Sequence, residues 1–188
     1  MERRIREGLA DLARTAEATA ALAAEVAGIA RCYAAALKAG GRLYFAGNGG
    51  GAAAAQHVAA EYLVRFLGPR QALAATALTT DTSTLTAAGN DLGFEQIFAR
   101  QIEALGHPGD VLILHSTSGA SPNLLAAARA GRSRGMTVVA FLGKGGGPLR
   151  SLADLSIVIP SQETSRIQEL HLALEHCIVG EVERELAG

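Results

Sequence analysis

Five short apolar segments, separated by helical patterns, constrain the fold of this chain more than any other feature. The predicted strands cover residues 42–46, 72–78, 110–115, 137–142 and 154–159, and most are bounded by Gly, Asp or Pro. Short apolar strands that alternate with helices are typical of a parallel sheet buried on both faces. The pattern therefore predicts an α/β fold: one domain with a five-stranded parallel sheet between two layers of helices, in a flavodoxin-like arrangement.

A long helix is predicted before the first strand, over residues 2–39. It has an apolar stripe and ends at Gly40–Gly41. The apolar face exceeds what a small sheet needs, so this helix either packs between subunits or folds back on its own domain. We divide the chain into an N-terminal oligomerisation helix over residues 1–40 and a domain over residues 41–188. The other predicted helices cover residues 52–67, 94–105, 122–134 and 162–187, with a turn near residues 148–152.

Charge and composition argue against several classes of partner. The net charge is −1 and no run of Lys or Arg occurs, so we expect neither nucleic acid nor a membrane as a partner. No apolar stretch is expected to span a membrane, and the charged N-terminus is unlike a signal peptide. Cys32 and Cys177 stand alone in helical patterns and are predicted to be reduced core thiols. These features favour a cytoplasmic protein.

Residues 42–61 join a strand, a glycine-rich turn (G-N-G-G-G) and a helix. Backbone N–H groups at such a turn can approach an anionic or polyhydroxyl ligand, and Asn48 adds an amide, although a plain tight turn would need the same glycines. His57 and Glu61 are four residues apart, so they share a helix face and suit metal ligation or proton transfer. Arg65 continues that face and could hold a substrate anion or pair with Glu61. An exposed, salt-bridged helix face is the alternative.

A hydroxyl-rich loop follows the predicted strand at 110–115. Four hydroxyl side chains lie within six residues: Ser116, Thr117, Ser118 and Ser121. Together with free N–H groups at the start of the next helix, they could hold a phosphate without Lys or Arg. Ordinary capping of that helix by Ser121, with Pro122 at its first position, is the alternative. His115 and His107 are interpreted as structural residues.

The last predicted helix carries two competing pairs of polar residues. Gln168 and His176 are eight residues apart and lie about 80° from one another around a helix. His171 and Glu175 are four residues apart and also share a face. Spacing does not decide which pair lines a cleft.

Five short motifs occur in order along the chain: G-N-G-G, Q-H-x-x-A-E, G-N-D-x-G-F, S-T-S-G-x-S and R-I-Q-E-x-H. This order resembles the sugar isomerase (SIS) domain family and, within it, the phosphoheptose isomerases, over nearly the whole chain. The resemblance implies a single SIS domain that interconverts sedoheptulose 7-phosphate and D-glycero-D-manno-heptose 7-phosphate. It also implies a homotetramer, with the N-terminal helices in the assembly and the sites shared between subunits.

The resemblance implies a role for each candidate residue. Glu61 and His176 are the implied acid–base pair, which selects Gln168 and His176 over the competing pair. The implied metal ligands, usually of zinc, are His57, Glu61, Gln168 and His176. The candidate substrate-binding residues, with Arg65 included from its helix position, are Asn48, Gly49, Gly50, Glu61, Arg65, Asn90, Asp91, Ser116, Thr117, Ser118, Ser121 and Gln168. Isomerisation through an enediol needs a base at carbon and an acid at oxygen, and a divalent cation can polarise the carbonyl.

The chain departs from the family pattern at three positions. Family members commonly have Ser and Asp where this chain has Gly51 and Ala54, and an Asp where it has Ser165. The departures leave room for another sugar phosphate, either as a substrate or as the ligand of a sensor. A non-catalytic SIS protein of the replication-initiator-associating type is a further alternative, but that relative lacks the glutamate found here at Glu61.

Overall fold

The fold is a five-stranded sheet with helices on both faces, as predicted. The computed structural model describes residues 1–187. The strands are β1 (Leu43–Gly47), β2 (Ala75–Ala77), β3 (Val111–Ser116), β4 (Thr137–Leu142) and β5 (Leu155–Val158). All pairs are parallel, and the spatial order is β2-β1-β3-β4-β5. The order reverses beside β1, so β1 and β3 are neighbours whose carboxyl ends form the crevice expected to hold a ligand.

Helices occupy most of the remaining chain. They are α1 (Glu2–Thr19), α2 (Ala23–Lys38), α3 (Gly50–Leu63), α4 (Thr82–Asp91), α5 (Ala99–Leu105), α6 (Pro122–Ser133), α7 (Leu149–Leu152) and α8 (Thr164–Ala187), with short 3₁₀ turns at Ala20–Leu22 and Phe94–Gln96. Helices α2, α3 and α8 cover one face of the sheet, and α4 to α7 cover the other. Each face buries its own apolar cluster, as a three-layer fold requires.

Helix α4 was not predicted from the sequence. Its sequence, TSTLTAAGND, is rich in threonine, which lowers helix propensity. Asp81 compensates, because its carboxylate accepts a hydrogen bond from the Thr84 N–H at 3.0 Å and so caps the helix. Asp81 is the signal in the sequence that could have identified this helix.

The predicted N-terminal helix is two helices, with the break at Ala20–Leu22. Helix α2 packs on α8 and buries Ile29 and Tyr33, so this half folds back on its own domain. Helix α1 keeps Ile5 and Leu9 57% and 63% exposed, which leaves an apolar stripe uncovered. The division of the chain at residue 40 stays a prediction.

Two expectations from composition need correction. Over Glu2–Lys38, an 18-residue window has a mean hydropathy of 1.4, so this segment passes a length-and-composition test for a membrane span. Alanine accounts for much of this value, and a single helix of this kind is weak evidence for a membrane span. Both cysteines are free, but Cys177 is exposed rather than buried in the core.

Candidate active site

Three predicted residues meet between α3 and α8. The Nε2 atom of His57 lies 3.1 Å from Glu61 Oε1 and 3.1 Å from His176 Nε2, and His176 Nε2 lies 3.2 Å from the same carboxylate oxygen. Ligands about 2.1 Å from a tetrahedral zinc ion are separated by about 3.4 Å, so this triangle of donor atoms is close to the size that zinc requires. His57, Glu61 and His176 are called the trio below.

The surroundings of the trio are partly apolar. The ring of Phe66 stacks on His176, with 5.4 Å between ring centroids and an angle of 12° between ring planes. The side chain of Glu61 is only 15% exposed, and its second oxygen, Oε2, is buried without a hydrogen-bond partner among the described residues. A buried carboxylate oxygen without a partner is rare, and a bound cation or a water molecule is the usual explanation.

A buried ion pair, not predicted from the sequence, fixes the end of α3 that carries Glu61. Arg70 donates to the backbone carbonyls of Glu61 and Tyr62 at 2.6 and 2.8 Å, and to Glu183 Oε1 at 2.6 Å. Glu183 in turn accepts from the backbone N–H groups of Phe66 and Leu67, at 2.8 Å each. The pair thus satisfies the open carbonyls of the helix end and holds Glu61 in place.

The structure does not support the predicted position of Arg65. Helix α3 ends at Leu63, not at residue 67, so the four-residue spacing from Glu61 to Arg65 is not a helical spacing. Arg65 is exposed and forms no ion pair with Glu61, which contacts the two histidines instead. The predicted helix position is wrong because α3 ends before Arg65 is reached, and the predicted contact of Arg65 with a substrate stays a prediction.

The predicted hydroxyl-rich loop lies at the carboxyl end of β3. Ser116 Oγ accepts from the Gly119 N–H at 3.0 Å, and Ser118 Oγ accepts from the Ala120 N–H at 3.3 Å. Ser121 occupies the N-cap position of α6 and Pro122 begins that helix, as expected, but the Ser121 hydroxyl forms no capping hydrogen bond. The capping alternative therefore does not account for this hydroxyl.

A small cleft of about 80 Å³ opens beside this loop. It is lined by residues from both predicted loops and from α8: Asn48, Gly51, His115, Ser116, Thr117, Ser118, Ser121, Gln168 and His171. We call it the serine-loop cleft. Helices α3 and α8 both run from this cleft to the trio, because Gly51 and His57 lie on α3 while Gln168 and His176 lie on α8. Six to eight residues of helix separate the two places, which corresponds to about 10 Å.

The glycine loop forms one wall of the cleft. Gly49 has φ +53° and ψ −116°, a conformation that favours glycine, and it is the N-cap residue of α3. A Cβ atom on Gly50 would lie 2.6 Å from the amide nitrogen of Gln168, so the Gln168 side chain occupies the space that any larger residue would need.

Gln168 thus lies at the serine-loop cleft. Gly50 is seven residues from His57, or about 10 Å along α3, and no hydrogen bond joins Gln168 to the trio among the described residues. Its assignment as a fourth metal ligand stays a prediction, and in this conformation the amide faces the cleft.

Within one chain, Asn90 and Asp91 lie neither at the serine-loop cleft nor at the trio. They are the last two residues of α4, both exposed, and Asn90 Nδ2 donates to Asp91 Oδ1 at 2.7 Å. The segment that follows them, Gly93 to Glu95, borders a second cleft of about 500 Å³, which has Asn48 and Ser121 in common with the first. Their contact with a substrate stays a prediction.

The competing pair, His171 and Glu175, is buried beneath the cleft. His171 Nε2 lies 3.1 Å from the Leu142 carbonyl oxygen, and His115 Nε2 lies 3.1 Å from Glu175 Oε1. Burial lowers the pKa of His115 to about 4, and burial together with the nearby His115 lowers that of His171 to about 3, so both are neutral at pH 7. Burial, and then the charge of Glu61, raise the pKa of Glu175 well above its usual range.

Comparison with known proteins agrees with this architecture. The sequence model of the SIS domain matches residues 9–143. The chain is 52% identical over 167 residues to the phosphoheptose isomerase of Burkholderia pseudomallei strain K96243, covering 89% of this chain and 85% of that one. It is 44% identical to the phosphoheptose isomerase of Akkermansia muciniphila over 188 residues, the full length of both.

Solved structures also show similarity to phosphoheptose isomerases. The phosphoheptose isomerase of Neisseria gonorrhoeae superposes with a TM-score of 0.92 at 38% identity, covering 97% of this chain and 98% of that one. The phosphoheptose isomerase of Francisella tularensis superposes with a TM-score of 0.94 at 35% identity, covering 97% of each chain. The chain therefore belongs to the SIS domain family and, within it, to the phosphoheptose isomerases.

Proposed function

We propose that this chain interconverts sedoheptulose 7-phosphate and D-glycero-D-manno-heptose 7-phosphate. The names of the relatives support a heptose phosphate as the substrate. The main support for the proposal is that two chemically different sites lie along the same two helices, α3 and α8. A cleft lined by hydroxyls lies about 10 Å along α3 and α8 from a cluster of acid–base groups. An extended seven-carbon sugar phosphate has its phosphate and its carbonyl at opposite ends, so it suits such a separation.

The serine loop is the proposed phosphate site. Ser121 lies at the start of α6 with a hydroxyl that makes no capping hydrogen bond, and the helix dipole there favours an anion. Thr117 and Ser118 add hydroxyls at the mouth of the cleft. Asn48 and the Gln168 amide lie at the same cleft and are proposed to bind sugar hydroxyls, with Gly49 and Gly50 as the wall beside them.

Glu61 and His176 are the proposed acid–base pair. In this mechanism Glu61 takes the proton from the carbon next to the carbonyl group, while His176 donates a proton to the carbonyl oxygen, which gives an enediol. Return of the first proton to the neighbouring carbon, with loss of the other hydroxyl proton to His176, completes the isomerisation. The 3.2 Å separation of Glu61 Oε1 and His176 Nε2 supports transfers at two adjacent atoms of one substrate.

Zinc is the proposed cofactor, held by the trio. Two imidazole nitrogens and one carboxylate oxygen form a donor set that suits zinc. Zinc bound there would act as a Lewis acid that polarises the substrate carbonyl, in place of proton donation by His176 Nε2, which a bound metal would occupy. Gln168 could complete the ligand set only after its side chain turns away from Gly50.

Conversion of sedoheptulose 7-phosphate tests the proposal, with product followed directly by chromatography. Glu61→Gln keeps the shape of the side chain but removes its basicity, and we expect kcat to fall by about 10² or more. Glu181→Gln, an exposed residue of α8, is the matched control and should retain wild-type turnover. Absence of turnover by the wild type, or full turnover by Glu61→Gln, would contradict the proposal.

We also propose a cytoplasmic homotetramer in which subunits share sites. The exposed apolar stripe of α1, which includes Ile5 and Leu9, supports a packing role, and the free thiols suit a reducing compartment. Asn90 and Asp91 could then reach the sugar of a neighbouring subunit. Light scattering should give about four times 19.3 kDa for the wild type and a lower mass for Leu9→Lys, with Glu7→Lys on the same helix as the control. A monomeric wild type would contradict this assembly.

A further inference from the structure

A group of buried polar atoms lies beneath the trio, outside the chemistry described above. Among the described residues, five buried side-chain atoms have no hydrogen-bond partner: Tyr33 Oη, Glu61 Oε2, Tyr62 Oη, His115 Nδ1 and Glu175 Oε2. Folded proteins rarely leave such atoms unpaired, because each costs about 1–3 kcal/mol. Five of them in one region indicate polar partners that are not side chains, and water is the usual partner in protein interiors.

Four of these atoms belong to side chains that lie in one region of the core. Tyr62 directly follows Glu61 on α3, and the ring centroids of Tyr33 and Tyr62 are 6.3 Å apart. The Phe45 ring centroid lies 5.9 Å from that of Tyr62 and 6.4 Å from that of His115, and His115 in turn contacts Glu175. Yet none of the four atoms bonds directly to another. Buried polar atoms that share a region without bonding to one another are commonly bridged by water.

Glu175 stands at the junction of the two parts of the site. Its first oxygen, Oε1, lies 3.1 Å from His115 Nε2, and both side chains are almost fully buried. His115 directly precedes Ser116 of the serine loop, while Glu175 directly precedes His176 of the trio. One buried carboxyl group therefore connects the strand that carries the proposed phosphate site to the helix that carries the proposed acid.

We propose that Glu175 is a positioning residue for Glu61. One oxygen of Glu175 holds His115 beneath the serine loop, and the other holds Glu61 Oε2 through a bridging water molecule that the hydroxyls of Tyr33 and Tyr62 also bind. The catalytic part of this inference rests on the proposed function, whereas the water site does not. Fixing Oε2 in this way leaves Oε1 directed at the two imidazoles of the trio, which is the orientation that the structure shows.

Stability measurements test the water site without any assay of activity. Tyr33→Phe and Tyr62→Phe remove one hydroxyl each; if these hydroxyls bind water, we expect the Tm of each variant to fall by several degrees. Tyr44→Phe is the matched control, since the buried Tyr44 hydroxyl donates to the Leu105 carbonyl oxygen at 3.1 Å on the other face of the sheet. An unchanged or raised Tm for both test variants, beside a lowered Tm for the control, would overturn the water site.

A crystal structure of the wild type provides the direct observation. We expect ordered water within about 3.2 Å of both Glu61 Oε2 and Glu175 Oε2. A dry gap, or a metal ion in this place, would overturn the proposal. These two measurements stand even if the wild type does not convert a heptose phosphate, so they distinguish failure of this inference from failure of the proposed function.

Kinetics test the positioning role. Glu175→Gln keeps both hydrogen-bonding positions and should retain kcat within about threefold of wild type. Glu175→Leu removes both, and kcat should fall at least tenfold while KM stays within twofold, because the phosphate site remains. Equal loss in the two variants would make Glu175 a direct proton donor or acceptor, and wild-type kcat in Glu175→Leu would remove any role; either result overturns the proposal. If Glu175→Leu does not fold, the Tm values of the tyrosine variants and the kcat of Glu175→Gln test the proposal instead.

Discussion

Asn48 and Asn123 hold each other by two hydrogen bonds between their side-chain amides. Asn48 Nδ2 donates to Asn123 Oδ1 at 2.9 Å, and Asn123 Nδ2 donates to Asn48 Oδ1 at 2.8 Å. Asn123 is almost fully buried in the first turn of α6, whereas Asn48 faces the serine-loop cleft. The pair therefore fixes the glycine loop to the helix that follows the serine loop, and it leaves Asn48 one N–H group for a ligand.

Loss of the Asn123 amide should weaken catalysis through Asn48. We expect Asn123→Ala to lower kcat/KM by about tenfold, since a net hydrogen bond is worth about 1 kcal/mol and the freed Asn48 amide loses its orientation. The double variant with Asn48→Ala should be no worse than Asn48→Ala alone. Ser133→Ala, at the far end of α6, is the control. If the double variant lost kcat/KM by the product of the two single losses, Asn123 would not act through Asn48.

Zinc should stabilise the folded protein through the trio. After treatment with a chelator, added zinc should raise the wild-type Tm by several degrees, because a ligand at 100 times its Kd contributes about 2.7 kcal/mol to the folded state. His57→Ala should lose most of this shift, since it removes one of three donors. His107→Ala is the control, because His107 is exposed and bonds only to its own turn. Equal shifts in both variants would place the metal elsewhere.

Acid should destabilise the protein in part through His171. Burial and the nearby His115 depress the pKa of His171 to about 3, so as the pH falls below 6.5 the unfolded chain binds a proton before the folded chain does. The stability that neutral His171 contributes is full above pH 6.5 and is lost as the pH falls toward 3. Glu175, whose pKa is raised, acts in the opposite direction, because its contribution is lost as the pH rises.

A comparison of variants isolates His171 from these opposing effects. Between pH 7 and pH 5, urea denaturation should show that the wild type loses about 2 kcal/mol more of its unfolding free energy than His171→Gln does. His107→Gln should follow the wild-type curve, since His107 is exposed. Parallel curves for wild type and His171→Gln would mean that His171 titrates normally in the folded protein.

Removal of Arg70 should destabilise the protein more than removal of an exposed arginine. The side chains of Arg70 and Glu183 are only 13% and 8% exposed, so Arg70→Met leaves a buried carboxylate without its charge partner and removes one donor each from the Glu61 and Tyr62 carbonyls. We expect a loss of about 3 kcal/mol in chemical denaturation. Arg132→Met breaks an ion pair with Asp154 that is 49% and 41% exposed, and should cost about 0.5 kcal/mol. Similar losses for the two variants would contradict this ranking.

The parts of the site that depend on local sequence were predictable. The alternation of short strands and helices predicts the parallel sheet, and a four-residue spacing on a helix predicts that His57 and Glu61 meet. Where the prediction failed, the cause was also local: α3 ends before Arg65, and Asp81 caps a threonine-rich helix that propensity alone does not predict.

The sequence by itself determined the fold class, the family and the composition of each loop, because these depend on backbone periodicity and on motifs within a few residues. Only the tertiary structure decided which distant residues meet. His176 joins His57 across 119 residues, Asn123 joins Asn48 across 75, and Glu175 joins His115 across 60. Helical periodicity did not decide whether the pair Gln168–His176 or the pair His171–Glu175 lines a cleft. The order of strands in the sheet separates them, because the packing of α8 on that sheet directs His176 toward α3 and buries Glu175 against β3.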